Sequence, residues 1–288
     1  MGVKIQTIKD IRSYIAKELE VIYPEPEISA LTNIIIKTIF GLTRLHQLFL
    51  SEQMVTSGQA RRIIDICKEL KTGKPIQYIL GETNFYDCII RLNSATLIPR
   101  PETEELVDIV IRENRSYRGN IIDIGTGSGC IAIALAANLP GSVITGIDIS
   151  DEAIRIAQKN ALLNNVTVSF VKGDIYNLDF SILKNAGIIV SNPPYVRNSE
   201  KQFMSKNVLD FEPHIALFVT DNDPLVYYRA ILKLAGKVLL PGGRIYLEIN
   251  EAMGKSMVKL LESAGYSEIE IVADINGKER IIKGTRDV

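Results

Sequence analysis

From about residue 99 onward, apolar runs of strand length alternate with stretches of helical period, and that alternation leaves few folds open. Strand-like runs at 120–125, 142–148, 166–171, 187–191 and 244–249 are separated by helix-like stretches at 129–137, 151–163 and 223–239. Strands joined through helices need crossovers, which set the strands parallel and cover both sheet faces. The expected class is therefore α/β, a doubly wound Rossmann-like sheet filling residues 99–288. Two further apolar runs, 268–273 and 280–283, flank Asn276-Gly277, a pair that favours a hairpin turn.

The first 75 residues follow a different rule. Ile8, Ile11, Ile15 and Leu19 recur at helical spacing, as do Ile28, Leu31, Ile35 and Ile39, and then Ala60, Ile63, Ile64, Cys67 and Leu70. The last stripe stops at Gly73 and Pro75, residues that end helices. Short amphipathic helices must pack on one another, so residues 1–75 are expected to form a small helical bundle. Residues 76–98 mix aromatic and β-branched positions around Gly81 and Asn84 and read as a hairpin or linker. A length of 288 residues suits this division into a larger and a smaller domain.

Chemistry enters at the strand ends. The segment Asp123-Ile124-Gly125-Thr126-Gly127-Ser128-Gly129 closes the first strand of the alternating region, and Asp148 ends the next strand. An acid about twenty residues beyond a glycine loop is the spacing of a ribose-binding carboxylate. Gly125, Thr126, Gly127, Ser128 and Gly129 would bring bare backbone and helix N-terminal amides to a ligand carboxylate. One strand later, Asp174 and Ile175 would serve an adenine ring by its amino group and its face. The third glycine of a dinucleotide fingerprint would fall at position 130, which is Cys130. An adenosyl ligand, S-adenosylmethionine, therefore fits better than a nicotinamide cofactor.

The run 187–191 ends in Asn192-Pro193-Pro194-Tyr195. An amide or exocyclic amine is a poor nucleophile because its lone pair is delocalised, so it must be held against the electrophile. The Asn192 side-chain carbonyl and the Pro193 main-chain carbonyl supply two acceptors for its two N–H bonds. Pro194 lacks a competing N–H, and Tyr195 offers a face for a planar group. Proline pairs also make plain turns. At the end of a buried strand in this fold, the four residues point to methylation of a planar nitrogen. Asn192 stands at the junction of the cofactor and substrate sites and is assigned to both.

Other clusters are ambiguous. Arg100-Pro101-Glu102-Thr103-Glu104-Glu105 reads either as a lid or as a helix start with acids in its first turn. Glu212-Pro213-His214 is similarly open. His46 and His214 have no neighbouring ligand in sequence, and no metal site is expected. Cys67, Cys88 and Cys130 are isolated, which suits a reducing, cytoplasmic compartment. No signal-type segment or membrane span is expected. A net charge of −1 carries no global field for nucleic acid.

Taken together, Pro75-Ile76-Gln77-Tyr78-Ile79-Leu80-Gly81-Glu82, Leu97-Ile98-Pro99-Arg100-Pro101-Glu102-Thr103-Glu104, the glycine loop, Ser191 to Tyr195, and Glu212-Pro213 with Ala216-Leu217 resemble the HemK/PrmC family nearly end to end. These are protein-(glutamine-N5) methyltransferases of peptide chain release factors. The resemblance implies a class I methyltransferase sheet with an N-terminal helical bundle that helps recognise class I release factors. It implies that the glycine loop, Asp148 and the region of Ile175 bind S-adenosylmethionine, leaving S-adenosylhomocysteine as product, and that Asn192 to Tyr195 hold the glutamine of a Gly-Gly-Gln loop. Some relatives carry an aromatic residue where this chain has Ile175. Asn-Pro-Pro-Tyr is shared with DNA adenine and RNA guanine methyltransferases, so a nucleic-acid N-methyltransferase is the alternative. It would need a basic target-reading part, whereas the N-terminal helices mix both signs. A non-catalytic adaptor is a third reading, against which the intact turn stands.

Overall fold

A computed structural model describes residues 5–179, 181, 183 and 185–288. The chain divides into two compact units, Met1–Gly81 with Lys206–Phe211, and Glu82–Ser205 with Glu212–Val288.

The first unit is helical: α1 (Ile8–Leu19), α2 (Glu25–Phe40), α3 (Arg44–Phe49), α4 (Ser57–Leu70) and α5 (Ile76–Leu80). Ile8, Ile11, Ile15 and Leu19, spaced by three and four residues, are wholly buried and meet Ile35, Ile36, Ile63 and Ile66 in one core. Reciprocal caps start two of the helices, Thr7 with Asp10 on α1 and Thr56 with Gln59 on α4, each satisfying two otherwise orphaned amides. Gly41, at φ 69°, ends α2 in the left-handed conformation that side chains resist. Residues 76–80, read from sequence as hairpin or linker, instead form α5. Pro75 precedes its first turn and Gly81, at φ 79°, stops it.

The second unit opens with a true hairpin, β1 (Glu82–Phe85) and β2 (Cys88–Arg91), turned by Tyr86 and Asp87 at positive φ. There follow α6 (Pro101–Glu113), β3 (Asn120–Ile124), α7 (Cys130–Asn138), β4 (Val143–Asp148), α8 (Asp151–Leu163), β5 (Ser169–Lys172), β6 (Ala186–Ser191) and β7 (Val196–Arg197). The chain then contributes α9 (Lys206–Phe211) to the first unit before β8 (Phe218–Val219), α10 (Val226–Val238), β9 (Leu239–Glu248), α11 (Gly254–Ser263), β10 (Tyr266–Ala273) and β11 (Glu279–Arg286).

The main sheet has the order β10-β11-β9-β6-β3-β4-β5. Neighbours from β9 to β5 run parallel, and β11 lies antiparallel between β9 and β10. Ile121, Ile122, Ile188 and Ile189 are buried, as strands covered on both faces require. This is the doubly wound α/β sheet expected from the sequence, with one antiparallel strand inserted next to its edge. Its order reverses between β3 and β6, so a crevice opens at their carboxyl ends.

Two strands depart from expectation. The run 166–171 pairs only from Ser169, because Asn165 at φ 55° turns the chain out of α8. In β9, pairing begins at Leu239 rather than 244: Leu239 faces Ala186 and Arg244 faces Ile188, so Pro241-Gly242-Gly243 bulges out within the strand.

Candidate active site

The glycine loop leaves β3 with Gly125, Gly127 and Gly129 at φ 72°, 55° and 82°. Gly125 and Thr126 both donate their N–H to the Ile147 carbonyl at 2.9 Å, fastening the loop to β4. Asp148, at the end of β4, accepts from the Gly127 N–H at 2.8 Å and the Ser150 N–H at 2.9 Å. Burial raises its carboxyl above the ordinary 3.8, while these amides pull it back. Beneath the loop Asp123 is fully buried, accepting the Thr126 hydroxyl on Oδ2 at 2.6 Å, with the Ala132 backbone amide in the first turn of α7 also acting on the carboxylate. Burial pushes this carboxyl up to about 7.

A cleft of about 300 Å³ opens over these elements. Of the residues singled out from sequence, Gly125, Thr126, Gly127, Ser128, Asp148, Asp174, Ile175, Asn192, Pro193 and Pro194 line it. Gly129 and Tyr195 do not. A β-carbon on Gly129 would stand 2.9 Å from Ala157 Cβ, so the contact of its loop with α8 requires glycine there. The Tyr195 hydroxyl donates to Glu248 Oε1 at 2.8 Å and its ring packs against the sheet core, which anchors the turn. Burial, with Glu248 alongside, holds that phenol well above 10.

The Asp174 carboxylate takes the Tyr176 N–H at 3.0 Å and the Asn177 side chain at 2.9 Å, so it shapes its own turn as well as bordering the cleft. Tyr176 and Tyr227, with ring centroids 6.0 Å apart, line the same wall as Ile175. Sequence reading passed over both rings because neither belongs to a local motif. Asn192, one residue beyond β6, donates its Nδ2 to Thr103 Oγ1 at 3.0 Å, and no hydrogen bond reaches its Oδ1 among the described residues.

The two ambiguous clusters meet. Arg100 pairs with Glu212 at 2.6 Å, and the Ile98 N–H reaches the other Glu212 oxygen at 3.3 Å. Glu212 is buried, while Arg100 borders the cleft, so the pair ties the segment before α6 to the chain after α9 along one wall. Glu102 sits in the first turn of α6. His214 lies edge-on to Phe218 at 5.2 Å. Among the described residues no His, Cys, Asp and Glu cluster suits a metal. Cys130 borders the cleft, but burial pushes its thiol up to about 12, leaving it protonated and unreactive.

The donor set fits S-adenosylmethionine: a carboxylate for ribose hydroxyls, left-handed glycines that admit a ligand to the backbone, and an apolar and aromatic wall for adenine.

Residues 103–211 match the methyltransferase small domain model and residues 10–81 the PrmC N-terminal domain model. The chain is 45% identical over 280 residues to the release factor glutamine methyltransferase of Flavobacterium psychrophilum, covering 96% of this chain and 98% of that one. It is 42% identical over 277 residues to the protein of the same name from Bacteroides thetaiotaomicron, covering 96% and 99%. Among solved structures, the hMettl16 catalytic domain in complex with MAT2A 3'UTR hairpin 6 shares the fold at a TM-score of 0.53 and 16% identity, over 83% of this chain and 85% of that one.

Proposed function

Because this chain belongs to the family of release factor glutamine methyltransferases, we propose that its cleft performs that family's reaction with Asn192 and the Pro193 carbonyl gripping the substrate amide. The enzyme transfers a methyl group from S-adenosylmethionine to the side-chain nitrogen of the glutamine in the Gly-Gly-Gln motif of release factors. Bound S-adenosylmethionine supplies an electrophilic methyl on a positively charged sulfur, and everything else falls to the protein.

Asp148, held by two backbone amides, takes the ribose, and Gly125 to Ser128 line the methionine end. Asp174, Ile175, Tyr176 and Tyr227 border the adenine. The observation that carries the assignment is Asn192, whose Nδ2 is committed to Thr103, so that its Oδ1 is left as an acceptor in a residue lining the cleft. With the Pro193 carbonyl as second acceptor, both N–H bonds of a glutamine amide are held and its lone pair is turned to the methyl. Alignment at about 3–3.5 Å and relief of growing positive charge by the two carbonyl dipoles provide the acceleration. The proton leaves after transfer, so no strong base is needed.

The protein substrates are class I release factors, recognised in part by the helical unit of residues 1–75, and the compartment is cytoplasmic. No helix among the described residues is long and apolar enough to cross a membrane. A net charge of −1 favours a protein acceptor over a polyanion. The test is transfer of labelled methyl to a release factor carrying Gly-Gly-Gln and to one lacking the glutamine, with duplex DNA and ribosomal RNA as competing acceptors. Label that requires the glutamine is expected. Label on nucleic acid alone would move the enzyme to base methylation.

A further inference from the structure

The segment Arg100 to Glu105, ambiguous in sequence, places one side chain between the turn that holds the substrate and the body of the sheet. Thr103, in the first turn of α6, is 2% exposed and donates its hydroxyl to Glu248 Oε2 at 2.6 Å. Glu248 ends β9 and is 1% exposed. Because Ser191 is paired with Leu247, Asn192 and Glu248 leave adjacent parallel strands at the same level. Thr103 bridges them.

Proton counting gives this bridge a direction. A hydroxyl has one proton. The Thr103 proton is committed to Glu248 Oε2, since a carboxylate oxygen 2.6 Å from a hydroxyl must accept. Thr103 Oγ1 therefore faces Asn192 with a lone pair, and the group it meets must be the Nδ2 amide rather than Oδ1. The Tyr195 hydroxyl donates to the other oxygen, Oε1, at 2.8 Å, so with Glu248 ionised both of its oxygens accept and the relay keeps this direction. We propose that the Thr103–Glu248 pair is a positioning device that fixes the flip of the Asn192 side-chain amide, keeping its carbonyl toward the substrate and thereby selecting glutamine over glutamate.

The proposal rests on Asn192 gripping the substrate amide. A side-chain amide is nearly symmetric in shape, so sterics alone do not choose between its two flips. With Oδ1 presented, the site accepts the N–H bonds of a glutamine and repels a glutamate carboxylate. With Nδ2 presented, it would donate to a carboxylate and meet the glutamine amide donor to donor. Thr103 borders the cleft, but its hydroxyl is engaged by Glu248 and Asn192, so in this scheme it acts through Asn192.

The experiment compares wild type, Thr103→Val and Thr103→Ser in single-turnover methyl transfer to a Gly-Gly-Gln release factor. It also measures inhibition by the same factor carrying Gly-Gly-Glu. Valine keeps the shape and loses the hydroxyl, so the rate is expected to fall about 10- to 100-fold, with S-adenosylmethionine affinity within twofold. Inhibition by the Gly-Gly-Glu factor, relative to affinity for Gly-Gly-Gln, should strengthen about tenfold, because Asn192 is freed to offer its amide. Serine keeps the hydroxyl and should restore both the rate and the discrimination to within threefold. If valine does not fold, Thr103→Cys, a weaker donor, carries the same comparison with a smaller shift.

A lowered rate with unchanged Gly-Gly-Glu discrimination, or a serine variant as impaired as valine, would reduce Thr103 to a packing residue and overturn the relay. Wild type that fails to methylate Gly-Gly-Gln would instead refute the underlying function, so the two failures are distinguishable.

Discussion

Replacing Asp123 by asparagine is expected to flatten the pH dependence of folding stability near neutrality. The side chain is fully buried below the glycine loop, and burial pushes its carboxyl from 3.8 up to about 7 although the Thr126 hydroxyl and the Ala132 amide pull it back. A raised native value means the folded state holds the proton more tightly than the unfolded chain. The stabilisation it gives is complete below about 3.8 and is lost as pH rises through about 7. Between pH 6 and pH 8 the folded group goes from roughly nine-tenths to one-tenth protonated, while the unfolded group stays ionised. The difference is RT ln 10, about 1.4 kcal/mol of stability lost on going to pH 8. Asparagine keeps an acceptor for Thr126 but does not titrate. Urea unfolding of both proteins at the two pH values measures the effect, since every other group is common to both chains. Wild type should lose about 1.4 kcal/mol more than the variant across this window. Parallel pH profiles would refute the claim that Asp123 titrates there.

Asn192→Ala should abolish detectable methyl transfer while S-adenosylmethionine affinity stays within a few fold, as followed by equilibrium titration; an equally large binding loss would take Asn192 out of the substrate grip. Asp148→Ala should weaken cofactor binding by about 1.5–3 kcal/mol, the value of hydrogen bonds to a charged group, and unchanged affinity in the same titration would remove Asp148 from the site. Arg100→Ala strands the buried Glu212 carboxylate. Because Arg100 is itself 32% exposed, the cost should fall between a surface pair and a buried one, about 2 kcal/mol in chemical denaturation. Adding Glu212→Gln should recover part of that loss, and an additive double variant would show that the two side chains do not act as a pair.

Sequence reading located the parts of this molecule whose cause is local. Helical stripes such as Ile8, Ile11, Ile15 and Leu19, and strand ends marked by glycine or proline, follow from periodicity and turn chemistry within a few residues. What it missed depends on encounters made only by folding. Thr103 meets Glu248 across 145 positions and Arg100 meets Glu212 across 112, so this one short segment acquires partners that its own sequence does not name. Tyr195 was read as a stacking face because its motif is local, but its orientation is set by Glu248 on another strand. Gly129 was read as a ligand contact because its loop is, although its constraint comes from Ala157 on α8. The helix at 76–80 was hidden because five residues are too few to show a period.

On α8, Asn160 and Asn164 each use the side-chain amide to donate to and accept from one residue of β2, Asn160 at Arg91 and Asn164 at Ile89. Four residues of helix advance about 6 Å and two residues of strand about 6.8 Å, so the two repeats nearly coincide. The helix is therefore a ruler laid along the open margin of the hairpin, its two carboxamides standing in for the peptide groups of an absent third strand. A two-stranded ribbon with a bare margin is an invitation to pair with another chain, and here that invitation is closed from within. Losing Asn164 should show itself first as self-association of the folded protein with the methyltransferase chemistry still intact, whereas Asn160 also donates to the Ser128 carbonyl of the glycine loop at 2.9 Å and its loss should reach the cofactor site as well.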